Sequence, residues 1–140
     1  MSSEVDFELR AIGRVSSPLI EMDEAPRQGD EGAPEAWIEF QPAVLEALQG
    51  VQPGDRLVIL TWLDRADRDV LTVHPRGDTS RPPAGVFTTR SHNRPNPIGL
   101  HPVEVMAIDG TRIKVSNLEA LDGTPVVDVK PVLEGEISER

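Results

Sequence analysis

The sequence predicts a small, mainly β fold, namely a closed or nearly closed antiparallel or mixed β-barrel of about seven strands with one short helix. Short apolar segments alternate with Gly, Pro and Asp turn signals along the chain. A single segment has helical periodicity, and the strands do not alternate with helices as they do in βαβ units. No G-x-G-x-x-G loop follows a strand, which argues against a Rossmann-type nucleotide site.

The strand predictions follow from runs of alternating or continuous apolar residues bounded by turns. The first strand contains a slip or bulge near Gly13, and the third is apolar over nearly its whole length, which predicts burial. Residues 75–102 contain six prolines, which leave room for one short strand there. The predicted strands cover residues 7–15, 36–40, 56–63, 70–74, 85–89, 103–108, 112–118 and 126–129.

One helix and one long loop complete the predicted elements. The helix begins at Pro42 and is stopped by Gly50. Its apolar side chains, Val44, Leu45 and Leu48, would lie on one face. The segment 21–35 is acidic and without periodicity, which predicts a long loop.

The composition predicts one domain over residues 1–140, with an acidic tail from about residue 134. The chain has no cysteine, which excludes disulfides and cysteine-ligated metal sites. Its three histidines have no ligand spacing, so no metal site is expected, and His74 and His92 are expected to be structural or solvated. With no long apolar run and no signal-peptide pattern, we expect a soluble, cytoplasmic protein that does not associate with membranes.

The charge is strongly asymmetric along the chain. The formal net charge is -10, which argues against a phosphate-rich partner. Residues 71–100, however, carry four arginines and a single acid, Asp78. These arginines either pair with acidic groups elsewhere in the protein or bind an anionic ligand, and the sequence leaves both readings open.

The segment Arg90–Gly99 is the most informative stretch. Pro95 and Pro97 flank Asn96 and restrict the backbone on both sides. A stiff loop of this kind lowers the cost of holding polar side chains toward a ligand. It also fits a proline-stiffened connector whose arginines cap carboxylates, and composition alone does not separate the two.

The motif Gly-Val-Phe-Thr-Thr-Arg at 85–90, followed by Arg-Pro-Asn-Pro-Ile-Gly at 94–99, resembles the signature of the TsaA/TrmO family. Three further segments, at 12–18, 26–29 and 121–131, resemble that family's opening strand, first pocket loop and closing motif. They occur in the family's order.

The resemblance implies an S-adenosylmethionine-dependent methyltransferase that is a homodimer and N6-methylates threonylcarbamoyl-modified adenosine beside the anticodon of tRNA. It implies close backbone approach at Gly29, adenine contacts from Leu63 and Leu100, and polar contacts from Arg90 or Glu119. The implied cofactor residues are Gln28, Gly29, Leu63, Asp64, Arg65, Arg90, Leu100, Ser116, Asn117, Leu118 and Glu119. The implied substrate residues are Arg27, Ser91, Arg94 and Asn96, and the candidates for the catalytic group are Asp122, Asp128 and Lys130.

The chain departs from the family's pattern in two places. Asp64-Arg65 stands where many members have a histidine-containing pair. The chain also ends at Arg140 without the C-terminal domain of some members, so any tRNA contacts would come from the barrel dimer. A methyltransferase of a small molecule and a non-catalytic cofactor-binding module are the alternatives. An ion pair between Asp128 and Lys130 is the structural alternative to a catalytic role for either.

Overall fold

Six antiparallel strands with alternating buried and exposed residues form a closed barrel. The structure is a computed structural model that describes residues 5–18 and 35–133. The barrel order is β1-β2-β7-β6-β3-β8, and β4 and β5 pair as a separate two-stranded sheet. The strands are β1 Gly13–Ser16, β2 Ala36–Phe40, β3 Arg56–Trp62, β4 Thr72–Val73, β5 Ala84–Gly85, β6 Ile98–Asp109, β7 Arg112–Val115 and β8 Pro125–Pro131. The predicted mainly β barrel is confirmed.

Inward-facing aliphatic side chains fill the barrel. Ile38, Ile59 and Ile113 have no solvent exposure, and each contributes about 1.5–3 kcal/mol by burial. Val44, Leu45 and Leu48 cover one part of this core, as predicted. They do so from a 3-10 helix, Pro42–Leu48, in which residues three apart share a face. The remaining buried members of the core are Val15, Ala36, Phe40, Leu57, Val103, Val105, Val115, Leu118, Ala120 and Val126.

The long pairing of β3 with β6 positions the site described below. It runs from Arg56 opposite Glu104 to Trp62 opposite Ile98. The prediction that this strand begins at residue 103 was wrong, because β6 passes straight through Pro102. The pairing of β7 with β6 begins only at Val105, so the missing N–H of Pro102 lies where β6 has one sheet neighbour.

The segment 85–89 does not form the predicted strand. Strand β5 ends at Gly85, and Val86–Thr88 form a 3-10 helix. The hydroxyl of Thr88 donates to the Gly85 carbonyl, and the hydroxyl of Thr89 donates to the Val86 carbonyl. These local bonds satisfy backbone carbonyls that a strand would have paired across a sheet, and so favour the turn.

The first strand is also shorter than predicted, because β1 begins at Gly13. A Cβ at Gly13 would lie 2.7 Å from the Glu39 carbonyl oxygen, so this glycine permits close approach of β1 to β2. The register shifts instead between Leu60 and Thr61 of β3 and between Val105 and Ala107 of β6. The predicted acidic loop lies, apart from Glu35, outside the described residues, and so does the tail from residue 134.

No helix in residues 5–18 and 35–133 has the length and apolar character needed to cross a bilayer.

Candidate functional site

A hydrogen-bonded pair of buried side chains lies beneath the first residues of β6. Thr61 and His101 are both almost fully buried, and Thr61 Oγ1 and His101 Nε2 share a hydrogen bond of 2.8 Å. Gly99 covers the pair. A Cβ there would lie 2.5 Å from Thr61 Oγ1 and 2.7 Å from His101 Nε2. The glycine is therefore needed for the pair to fit.

Burial, with a smaller contribution from the neighbouring His92, lowers the pKa of His101 to about 4. His101 is therefore neutral at neutral pH and can both donate and accept one hydrogen bond. Burial also lowers the pKa of His92, although its Nε2 lies only 3.9 Å from Glu119 Oε1. His92 is therefore neutral at neutral pH as well.

The segment 90–99 is tied to the segment that follows β3. Arg68 Nε donates to the Pro95 carbonyl at 2.6 Å, and Arg68 Nη2 donates to Asn96 Oδ1 at 2.8 Å. The same guanidinium lies 5.0 Å from the centroid of the Trp62 ring. The Leu63 amide donates to the Pro97 carbonyl at 2.8 Å. The prolines predict a stiff segment 90–99, and the contacts of Arg68 with Pro95, Asn96 and Trp62 hold it further in place.

Arg94 ties the same segment to the 3-10 helix Val86–Thr88. Its Nη2 donates to the Val86 carbonyl, and both terminal nitrogens donate to the Thr89 carbonyl at 3.1–3.2 Å. In contrast, no described residue pairs with the guanidinium of Arg90, which is exposed. The two arginines therefore differ in their surroundings, because backbone carbonyls bind Arg94 but no described residue binds the side chain of Arg90.

An open groove of about 1210 Å³ lies beside these contacts and shares Arg90 and Arg94 with them. A second, small cavity of about 20 Å³ shares Leu63, His92 and Glu119 with it. Seven of the implied site residues line the groove: Leu63, Arg90, Ser91, Arg94, Leu100, Asn117 and Glu119. Its other described lining residues are Val73, His74, Arg76, Ala84, Phe87, Thr88, Thr89, His92, Ile98, Gly99, His101 and Pro102.

Asp64 and Arg65 line the small cavity rather than the groove. Leu118 is fully buried in the barrel core. The hydroxyl of Ser116 bonds the backbone of Glu104, and the side chain of Asn96 accepts the bond from Arg68. The structure thus brings together about half of the implied residues of the described ranges. Arg27, Gln28 and Gly29 lie outside these ranges.

None of the three candidates for the catalytic group is among the described residues that line the groove. Asp122 Oδ1 accepts the Ser17 amide at 3.0 Å. Asp128 and Lys130 form an exposed ion pair of 3.2 Å on β8, which is the structural alternative foreseen for them. Asp128 pairs with Leu60, whose neighbour on the other side is Leu100, so Asp128 lies about two strand spacings, roughly 10 Å, from the groove.

Sequence reasoning missed Thr61, His101, Arg68, Arg76 and Phe87. Thr61 and His101 lie forty residues apart, so only the β3–β6 register unites them. The arginine excess of residues 71–100 did point toward Arg76, but it could not show which arginines are engaged. In the described ranges, His, Cys, Asp and Glu side chains form no group of three that could hold a metal ion.

The chain matches the family model described as the tRNA-methyltransferase O N-terminal domain over residues 14–135. It is 41% identical over 132 residues to a probable S-adenosyl-L-methionine-binding protein of Methanothermobacter thermautotrophicus, covering 94% of each chain. It is 43% identical over 122 residues to an S-adenosyl-L-methionine-binding protein of Archaeoglobus fulgidus, covering 87% of this chain and 86% of that one. Another probable S-adenosyl-L-methionine-binding protein of that archaeon is 45% identical over 124 residues, which are 89% of this chain and 33% of the longer protein.

Among solved structures, a crystal structure of TrmO superposes with a TM-score of 0.74 and 30% identity. It covers 92% of this chain and 58% of the TrmO chain. A second, of TrmO from Pseudomonas aeruginosa, gives a TM-score of 0.73 and 29% identity, with 92% and 57% of the chains covered. The chain thus spans a little over half the length of these TrmO proteins.

Proposed function

Because this chain belongs to the family of the tRNA-methyltransferase O N-terminal domain, we propose that it is an S-adenosylmethionine-dependent methyltransferase. The methyl acceptor we propose is N6 of threonylcarbamoyl-modified adenosine beside the anticodon of tRNA. The observation that carries the proposal is that the available guanidinium of Arg90 shares one groove with Glu119, Leu63 and Leu100.

These four side chains suit the chemistry of S-adenosylmethionine. The guanidinium of Arg90 can pair with its carboxylate, and the Glu119 carboxylate can accept hydrogen bonds from its ammonium or hydroxyl groups. Leu63 and Leu100 are partly exposed and can pack on an adenine ring. When bound, this cofactor supplies a methyl group activated by an adjacent sulfonium. The protein then contributes mainly by holding acceptor and methyl in line, and no covalent nucleophile is required.

His92 is the proton acceptor that we propose for this groove. It lines both the groove and the small cavity, and its lowered pKa leaves it neutral at neutral pH. Glu119, 3.9 Å away, would stabilise the imidazolium that forms when a proton arrives. Asp122 and Asp128 are engaged in other contacts, which favours His92 over them.

Replacing Arg90 with Ala should weaken S-adenosylmethionine binding about tenfold or more, because a charged hydrogen bond is lost without a substitute. Isothermal titration calorimetry measures the affinity, and a thermal melt checks the fold. Arg10→Ala is the matched control, since Arg10 is exposed and lies outside the groove. Equal affinities of the two variants would exclude a role for Arg90 in cofactor binding.

Mass spectrometry of tRNA from a deletion strain, with and without the restored gene, tests the acceptor. Loss of the methyl group from threonylcarbamoyl-adenosine supports the proposal. Unchanged tRNA combined with cofactor binding would favour a small-molecule methyltransferase, which the net charge of -10 also favours. The relatives named as binding proteins support a non-catalytic cofactor-binding module as the other alternative.

We further propose that the protein is a homodimer. Along the outward face of β6, Ile98, Leu100, Met106 and Ile108 are each 40–49% exposed, and the exposed residues Pro102 and Glu104 lie between the two apolar pairs. Exposed apolar side chains clustered on a strand face mark association surfaces. A dimer through β6 would place the groove beside the partner, because Ile98 and Leu100 belong to both features.

A further inference from the structure

Part of the groove lining is supplied by the β4–β5 arm, residues 71–88. This arm contributes Val73, His74, Arg76 and Phe87 to the lining, and none of these belongs to the implied cofactor set. Phe87 is 85% exposed even though it lies at a cavity wall. An aromatic ring left open in this way is an unused stacking surface.

Arg76 is displayed by an unusual backbone. Its φ of 53° lies in the left-handed region, where a residue with a Cβ is disfavoured by roughly 1–2 kcal/mol. Arg76 and Asn117 are the two residues other than glycine with positive φ in the described ranges, and both line the groove. The turn is held by the Gly77 amide, which donates to the His74 carbonyl, and by His74 Nδ1, 3.0 Å from the Arg81 carbonyl. No described residue pairs with the Arg76 guanidinium.

The charge of the groove is not explained by the cofactor. Its described lining includes three arginines, Arg76, Arg90 and Arg94, against one carboxylate, Glu119. S-adenosylmethionine has a sulfonium, an ammonium and a carboxylate, so it is itself a net cation and cannot neutralise this excess. An anionic ligand can neutralise this positive charge. The chain as a whole has a net charge of -10, so the excess of positive charge is a property of the groove and not of the whole protein.

The size of the groove also exceeds the cofactor. Sites for one drug-sized ligand have volumes of about 300–1000 Å³. The groove, at about 1210 Å³, is larger than that range. The groove therefore has room for a second ligand beside the cofactor.

We infer that Arg76 and Phe87 form a subsite for an unpaired, phosphate-bearing nucleotide. The base stacks on the exposed face of Phe87, and the phosphate pairs with the guanidinium of Arg76. The role of this subsite rests on the proposed function, because the bound nucleotide would lie beside the methyl acceptor in the tRNA. It assigns single-stranded rather than duplex RNA to the arm, because neighbouring base pairs cover both faces of a base inside a duplex.

The test is fluorescence anisotropy of the full chain with a labelled single-stranded RNA of about 12 nucleotides, long enough to fill a groove of this kind. Phe87→Ala should weaken RNA binding about tenfold through loss of stacking. Arg76→Ala should also weaken it and should reduce the salt slope of the affinity by about 0.7, the amount expected for one lost phosphate contact to a single strand. The salt slope of Phe87→Ala should match that of the wild type.

Phe7→Ala and Arg56→Ala are the matched controls. Phe7 is 85% exposed, as Phe87 is, and Arg56 is exposed on the barrel, and neither lines the groove. The controls should bind RNA as the wild type does. If Arg76→Ala and Phe87→Ala bind as tightly as these controls, the subsite is overturned. Equal affinity of the wild type for a duplex of the same sequence would overturn the stacking assignment.

Calorimetry with S-adenosylmethionine separates this inference from the proposed function. Arg76→Ala and Phe87→Ala should keep the wild-type cofactor affinity, and loss of that affinity in both would assign the arm to the cofactor and overturn the subsite. If the wild type binds no S-adenosylmethionine, the proposed function fails. The RNA comparison, made without cofactor, still decides whether the subsite exists.

Discussion

At the scale of single residues, Gly99 makes the site possible. Replacing it with Ala should destabilise the protein by about 1–3 kcal/mol, because the new methyl group would overlap Thr61 Oγ1 and His101 Nε2 and break their hydrogen bond. Urea denaturation measures the free energy of unfolding. Gly85→Ala is the control, since a Cβ there meets nothing within 4 Å and φ is negative. A Gly99→Ala variant as stable as Gly85→Ala would contradict the tight fit.

At the scale of elements, the site depends on the connection between the segment after β3 and the segment 90–99. Arg68→Ala should release this connection by removing two hydrogen bonds and the contact with Trp62. We expect faster hydrogen exchange at the Leu63 amide and several-fold weaker S-adenosylmethionine binding, since ordering the loop would then oppose binding.

Arg68→Lys should give an intermediate result, because lysine keeps the charge but lacks the planar fork that reaches Pro95 and Asn96 together. Asp69→Asn serves as a nearby control, since the side chain of Asp69 makes none of these contacts. If the Leu63 amide exchanges at the same rate in Arg68→Ala as in the control, the connection does not depend on Arg68.

At the scale of the whole molecule, the two exposed apolar pairs on the outward face of β6 should make the protein dimeric at micromolar concentration. Met106→Glu should shift it toward the monomer, because it replaces an apolar side chain with a second carboxylate two residues from Glu104, and charges are costly to bury in a contact. Sedimentation velocity measures the shift. Leu9→Glu is the control, since Leu9 is 59% exposed and precedes β1, a strand that is not adjacent to β6 in the barrel. A monomeric wild type would refute the homodimer.

The sequence by itself determined the barrel. Runs of apolar residues predicted β2 over residues 36–40, which are also its limits in the structure. The predicted limits of β3 and β7 lie within three residues of the observed ones. Local errors arose where contacts between strands decide the structure. Strand β6 can include Pro102 because β7 begins to pair with β6 only at Val105. At 85–89, threonine hydroxyls turned an apparent strand into a 3-10 helix.

The segment 90–99 was recognisable from its prolines and from family resemblance, but the function of each arginine was not. Arg90 and Arg94 have the same side chain four residues apart, and only the structure shows that backbone carbonyls occupy Arg94 and leave Arg90 available. Likewise, only the β3–β6 register unites Thr61 with His101. Periodicity encodes which face is buried, whereas a site depends on distances between residues far apart in the chain, and these are decided only when the barrel closes.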